Sequence, residues 1–234
     1  MYHSGFSADS QVRREFVEKN PGASKDATDK WIEELQYASY AITNVKAVIH
    51  KLQSIFSKDV KLYLTGSGNF RELLATIREY KGNRVDSNKP QYYGDITDYL
   101  VHFWDAQVIN GREADDALGC AQWSEWIQGN DSTVIVSIDK DLDNIPGYHY
   151  NWRKEDLYYV DIGTADQHFW KQVITGDAVD NIQGIPGAGP KAADKLIGGT
   201  SDWVEMYDIV RNAYLKKGCT EENFHENATL AWIQ

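Results

Sequence analysis

The sequence predicts an α/β fold: a mostly parallel central sheet flanked by helices, followed by a helical C-terminal region. Three observations predict it. Short apolar, β-branched runs alternate with stretches of helical periodicity. The strand-like runs end in acidic residues just before a helix, where open α/β sheets place their sites. From residue 164 to 216 the pattern is helical, with one Gly/Pro break at 184–190.

The elements follow in order. Trp31, Ile32, Leu35, Ala38, Ile42, Val45, Ile49, Leu52 and Phe56 are spaced by three and four, which predicts a helix with one buried stripe over 29–56. The run "DVKLYLTG" (59–66) predicts a short strand closed by Gly66. "NFRELLATIREYKGNR" (69–84) starts as a helix and ends as a basic loop, and 85–96 is polar and turn-rich. A short helix is expected over 97–107, then a strand end at "QVING", then a helix over 114–128. "STVIVSID" (132–139) is the clearest strand, and "HYNWR" with "LYYVDI" predicts a small hairpin. A short terminal helix is expected near the end.

Composition narrows the class. The chain has 234 residues, 42% hydrophobic, which is enough for a real core. Its formal net charge is −11, so it does not hold nucleic acid by bulk charge, though a local basic groove still acts within about 10 Å. The two cysteines, Cys120 and Cys219, form no C-x-x-C pair, so neither a disulfide framework nor a Cys-based zinc site is indicated. No apolar run approaches membrane-spanning length and the start lacks a signal core, so a cytoplasmic, membrane-free protein is expected.

Three acidic clusters carry the chemistry. "GREADDALGC" (111–120) places Glu113, Asp115 and Asp116 at the start of a helix. A helix dipole alone favours such acids by roughly 0.3–1 kcal/mol each. "VIVSIDKDLDNIPG" (134–147) adds Asp139 and Asp141 at a strand end. Its D-x-D-x-D run fails as an EF-hand, because Asn144 stands where Gly is wanted and Tyr150 where the closing Glu belongs. "GDAVDNIQGIPGAGPK" (176–191) adds Asp177 and Asp180. Carboxylates that converge without counter-charge cost on the order of several kcal/mol, so they protonate or bind metal. All-oxygen donors select Mg2+ or Mn2+ over zinc. The six histidines are scattered, and no Ser/His/Asp or Cys/His arrangement competes.

"GIPGAGPKAADKLI" (184–197) predicts helix, tight turn, helix. Gly187 and Gly189 permit positive φ and close backbone approach, Pro190 suits the first helical position, and Ala192 and Ala193 allow close packing. Exposed amides beside Lys191 suit a phosphate, so the hairpin would grip a duplex backbone without reading bases.

These motifs, in this order, resemble the 5′ nucleases: phage 5′-to-3′ exonucleases, flap endonucleases and the 5′-nuclease domain of bacterial DNA polymerase I. "FRELLATIREYKGNR" resembles the family's basic segment, "EADD" and "SIDKDL" its first two metal motifs, and "GDAVDNIQGIPGAGPKAADKLI" its third motif with a helix–three-turn–helix. The resemblance implies a PIN-like nuclease domain over 1–162 and a helical DNA-binding region over 163–234. It implies two divalent ions, Mg2+ or Mn2+, held by Glu113, Asp115, Asp116, Asp139, Asp141, Asp177 and Asp180, and K+ at the helix–three-turn–helix. Arg71, Lys81, Arg84, Lys89, Gly187, Gly189 and Lys191 would meet DNA, with Lys81 and Arg84 also neutralising the reacting phosphate. Arg78 and Lys195 extend the basic face. Lys89, Tyr92 and Tyr93 fall in the segment that forms an arch over a single strand in the family. The expected partner is DNA with a free 5′ end or flap, and the expected state is a monomer in the host cytoplasm of a phage.

Two departures stand out. The family opens with a strand carrying a metal-binding Asp; this chain begins "MYHSGF", just after the matching point, and Asp9 comes too late to substitute. Many members carry a further Asp before the basic segment, where this chain has Thr65 and Gly66. Two other readings therefore stay open: a non-catalytic DNA-binding module of the same fold, and a metal-dependent ribonuclease of the small-toxin type, against which the hairpin argues.

Overall fold

The computed structural model describes residues 13–34, 38–56, 59–84 and 89–233. The opening "MYHSGF", Asp9, Leu35 and the side chains of Trp31 and Ile32 lie outside that description. The chain divides into two compact units, one reaching Leu64 and resuming from Asp86 to Val108, the other comprising Thr65–Val85 and Ile109–Gln234. They are bounded differently from the expected regions 1–162 and 163–234.

In the first unit, α1 (13–19) and α2 (Lys25–Glu34) precede α3 (Ala38–Ile55). The single helix expected over 29–56 is thus two helices. The buried stripe of α3 is Ala41, Val45 and Ile49, at a spacing of four. These residues join Leu64, Ile96, Leu100 and Ala106 in one cluster, with Tyr92 buried among them. Ile96 and Leu100 come from the later helix Tyr93–Trp104, which ends on Asp105 in a left-handed conformation. Strands β1 (Tyr63–Thr65) and β2 (Gln107–Ile109) form a two-stranded sheet. Gln107 N–H donates to Leu62 O and Gly66 N–H to Ile109 O, so the partner numbers rise together, as in a parallel pair.

The second unit holds every predicted acidic cluster. After β1 comes α4 (Phe70–Leu74), making the Tyr93–Trp104 helix α5. Then follow α6 (Ala114–Ile127), β3 (Val134–Val136), a 3₁₀ turn (Lys140–Asn144), β4 (Gly147–Asn151) and β5 (Asp156–Val160). β3 pairs with β4 in parallel, Ile135 opposite His149, and β4 pairs with β5 as the expected antiparallel hairpin. The α/β class stands, with a correction to the sheet. Among the described residues there are two small sheets, one of them mixed, and β1, β2 and β3 are only three residues long. Helices rather than a broad sheet carry most of the burial.

Those helices are α7 (Ile162–Thr175), α8 (Pro190–Ile197), α9 (Trp203–Lys216) and α10 (Glu221–Ala231). Trp170, Val173, Ile174, Ile197, Met206, Val210, Tyr214 and Phe224 form their common core. Each such side chain contributes about 1.5–3 kcal/mol on burial. Asp161, Asp202 and Thr220 cap α7, α9 and α10 by accepting the N–H of the third residue on. No helix among the described residues is long and apolar enough to cross a membrane.

Candidate metal centre and nucleic-acid interface

The first acidic cluster sits at the N-terminus of α6, with Glu113 as N-cap and Asp115 and Asp116 in the first turn. Asp116 is fully buried. It accepts the Glu113 N–H at 3.0 Å, and Arg71 donates to both of its carboxylate oxygens, at 2.8 and 2.7 Å. This corrects two expectations. Asp116 is spent on a buried, bidentate ion pair, so it orients the turn rather than offering free lone pairs to a cation. Arg71 is 2% exposed, which removes it from the DNA-facing set. Nearby, Thr65 Oγ1 accepts the Ala114 N–H at 3.0 Å, so a hydroxyl caps the first turn of α6.

The second cluster is shaped by its own turn. Asp139 caps the 3₁₀ turn and accepts the Asp141 N–H at 3.0 Å. In the third, Asp177 closes a tight loop: its backbone pairs with Ile182, and its Oδ1 accepts the N–H groups of Val179 and Asp180 at 2.6 and 3.1 Å. The clusters feel one another. Burial and then the charges of Asp139 and Glu113 push the Asp115 carboxyl up to about 6. Burial and then Asp139, Asp177 and Asp180 push Asp141 up to about 7. Burial is the larger cause of both shifts, and the neighbouring carboxylates add to it.

The basic segment docks on the third cluster. Lys81 N–H donates to Asp180 O at 3.0 Å, Asn181 Nδ2 to Glu79 O at 2.9 Å, and Asn83 Nδ2 to Ala178 O at 2.6 Å. This holds Lys81, at φ +57°, between Glu113, which it contacts as an ion pair, and Asp180, 3.5 Å away. Arg84 Nη2 pairs with Asp180 Oδ1 at 2.5 Å and is half-exposed. Tyr80, which sequence reasoning passed over, donates its hydroxyl to Asp180 at 2.8 Å and lies 3.2 Å from Glu113. Its burial, followed by those two carboxylates, raises its pKa far above the ordinary value. The only sequence sign was its place next to Lys81.

Lys89 is exposed in the other unit, its ammonium 4.7 Å from the Tyr93 ring centre. Tyr92 is corrected to a core residue, 6% exposed, and offers no stacking face. The predicted turn stands at 184–190, with one adjustment. Gly187 has φ +75° as expected, whereas Gly189 is the extended N-cap of α8 at φ −119°. Pro190 opens α8, Ala193 is buried, and Lys191 is exposed beside the helix start.

Among the described residues no three His, Cys, Asp or Glu side chains stand ready-made around a metal ion. Lys81 and Arg84 draw Glu113 and Asp180 towards themselves instead. The chemistry of the donor set nevertheless fits a hard divalent cation. It is all oxygen, and Asp115 and Asp141 stand partly buried in the field of further carboxylates, an environment that a bound cation would relieve.

No family model matches the chain. It is 32% identical over 204 residues to the exodeoxyribonuclease of Enterobacteria phage T3, covering 74% of this chain and 67% of that protein. It is 26% identical over 204 residues to the exonuclease of Escherichia phage T7, covering 74% and 68%. Its fold matches the bacteriophage T5 flap endonuclease solved in complex with DNA and metal ions, with a TM-score of 0.61 at 18% identity, over 83% of this chain and 80% of the other. With its motifs in order, its α/β fold and this degree of identity to a phage exodeoxyribonuclease, the chain belongs to the 5′ nuclease family of the phage exonucleases.

Proposed function

We propose that this chain is a divalent-metal-dependent 5′ nuclease that hydrolyses DNA phosphodiester bonds at a free 5′ end or flap, acting as a monomer in a phage-infected cell. The observation that supports it most is the convergence, in one compact unit, of the three acidic clusters with the bases Lys81 and Arg84: both bases pair with Asp180, Lys81 also pairs with Glu113, and Asp115 and Asp141 both lie in the field of Asp139. Asp115, Asp139 and Asp141, with Glu113, Asp177 and Asp180, would hold Mg2+ or Mn2+. When bound, such ions supply an activated water and stabilise the leaving oxygen. A K+ ion at the helix–three-turn–helix belongs to the same reading.

The chain's own groups do the rest. Lys81 and Arg84 are positioned to trade a carboxylate for a phosphate oxygen and to neutralise charge that grows on it. Tyr80 fixes the two acids that flank Lys81. The amides at the start of α8, with Lys191, hold the duplex backbone so that the scissile bond lies a fixed distance away. The test is digestion of a 5′-labelled flap and a blunt duplex with Mg2+, Mn2+ or EDTA. Cutting in either metal, absent in EDTA and lost in Asp139→Ala, is the expected outcome; cutting that persists in EDTA contradicts it.

One observation favours a second reading, a DNA-binding module of the same fold with impaired catalysis. Thr65, near the position where the resemblance implies a further metal-binding acid, offers a hydroxyl that accepts the Ala114 N–H, and Asp116 is committed to Arg71. Duplex binding that survives EDTA, with no cleavage in Mg2+ or Mn2+, selects that reading.

A further inference from the structure

We propose that Arg71 is a positioning residue of the metal centre, coupling the C-terminal end of α10 to the acidic first turn of α6. This rests on the reading of the acidic clusters as a divalent-metal site. Arg71 lies in the segment whose basic residues suggest phosphate contacts, yet at 2% exposure no phosphate reaches it.

Its guanidinium works as a planar fork with three clients. Nη1 and Nη2 hold both oxygens of Asp116, Nε donates to Leu230 O at 3.0 Å, and Nη2 also donates to Trp232 O. Leu230 and Trp232 end α10, where carbonyls lack donors within the helix. Asp116 passes the restraint on by accepting the N–H of Glu113, the cap residue of the turn that also carries Asp115. A second line runs from the same helix. Leu230 packs with Tyr80 and Ile182, and Glu226 accepts the N–H groups of Thr76 and Ile77, both at 2.8 Å. The end of α10 thus restrains the acidic turn and the basic segment together. An ammonium cannot take over, because a point charge on a flexible stem cannot hold two carboxylate oxygens and two carbonyls in one plane.

The test uses the full chain with Arg71→Lys and Arg71→Gln, at a temperature well below each variant's melting midpoint. Mn2+ binding is followed through the paramagnetic resonance of the free ion, and flap-DNA binding in EDTA through fluorescence anisotropy. The expected result is Mn2+ affinity lower by about 10-fold or more, as for other residues that orient metal ligands, with DNA affinity in EDTA unchanged. Adding Asp116→Asn to Arg71→Lys should bring no further loss, because both act through one pair. Should one variant fail to show a folded state at any temperature, the other carries the test. Unchanged Mn2+ affinity, or a loss confined to DNA binding, overturns the assignment of Arg71. A wild-type chain that binds no Mn2+ overturns the metal reading itself, and this assignment with it.

Discussion

Gly184 and Gly187 both stand at positive φ, at +65° and +75°, but for different reasons. A Cβ on Gly184 would lie 2.3 Å from Gly176 N and 2.5 Å from Thr175 C, so backbone would have to move. A Cβ on Gly187 would meet nothing within 4 Å. Gly184→Ala is therefore expected to cost at least about 2 kcal/mol, measured by chemical denaturation. Gly187→Ala should cost only about 1–2 kcal/mol, the left-handed penalty, while weakening duplex binding through a methyl group beside the exposed amides. The sequence made Gly187 readable, since a turn with Gly and Pro advertises itself. The need for Gly184 was not readable, because its neighbour is the backbone of a loop closed by Asp177 and Ile182. Arg71 and Asp116 were misassigned for the same reason. Their burial depends on partners 45 and 159 residues away, and a basic residue in a basic run gives no local sign of it. Each acidic cluster and the basic segment was readable as a local motif, but that Lys81 and Arg84 meet Glu113 and Asp180, 32 and 96 residues away, followed only from the resemblance to a family and not from local pattern.

At the scale of elements, periodicity located most helices and the β4–β5 hairpin, but it overestimated the sheet. Apolar β-branched runs signal that a strand exists, not how many residues find a partner. The two acidic loops were placed correctly because acids at strand ends and Gly-rich breaks are strong punctuation. What no pattern revealed is the work of α10, expected only as a short terminal helix. Through Glu226 it anchors residues 76 and 77, just upstream of Tyr80 and Lys81. Glu226→Ala should lower stability by about 1–2 kcal/mol, since two N–H groups lose a charged acceptor, and Glu226→Gln should recover most of it. Thermal melts of the pair measure this. Cleavage should slow in Glu226→Ala even where the protein is fully folded, because Lys81 loses a restraint on its segment.

The whole molecule carries opposing pH responses. Burial lowers the His149 pKa despite the bond to Ile145 O, and burial lowers that of His168. Each therefore contributes stability that is present above about pH 6.5, the unfolded value, and is lost as pH falls through the lower folded value. The raised pKa values of Asp115 and Asp141 act the other way, making the metal-free fold gain stability as pH falls from 7 towards 4. Comparison of His149→Gln with wild type isolates the first effect: the variant should lose less stability between pH 7 and 5.5 in thermal melts. With a net charge of −11, DNA affinity should also depend on the divalent ion and fall steeply with salt. The most direct test of the metal-dependent nuclease reading is cleavage of a single 5′ flap across a Mg2+ titration, by wild type and by Asp141→Asn. Saturable Mg2+ dependence in the wild type, with the variant reduced by orders of magnitude at every concentration, is the predicted result. Equal cleavage by both chains, or cleavage without added metal in EDTA, would contradict it.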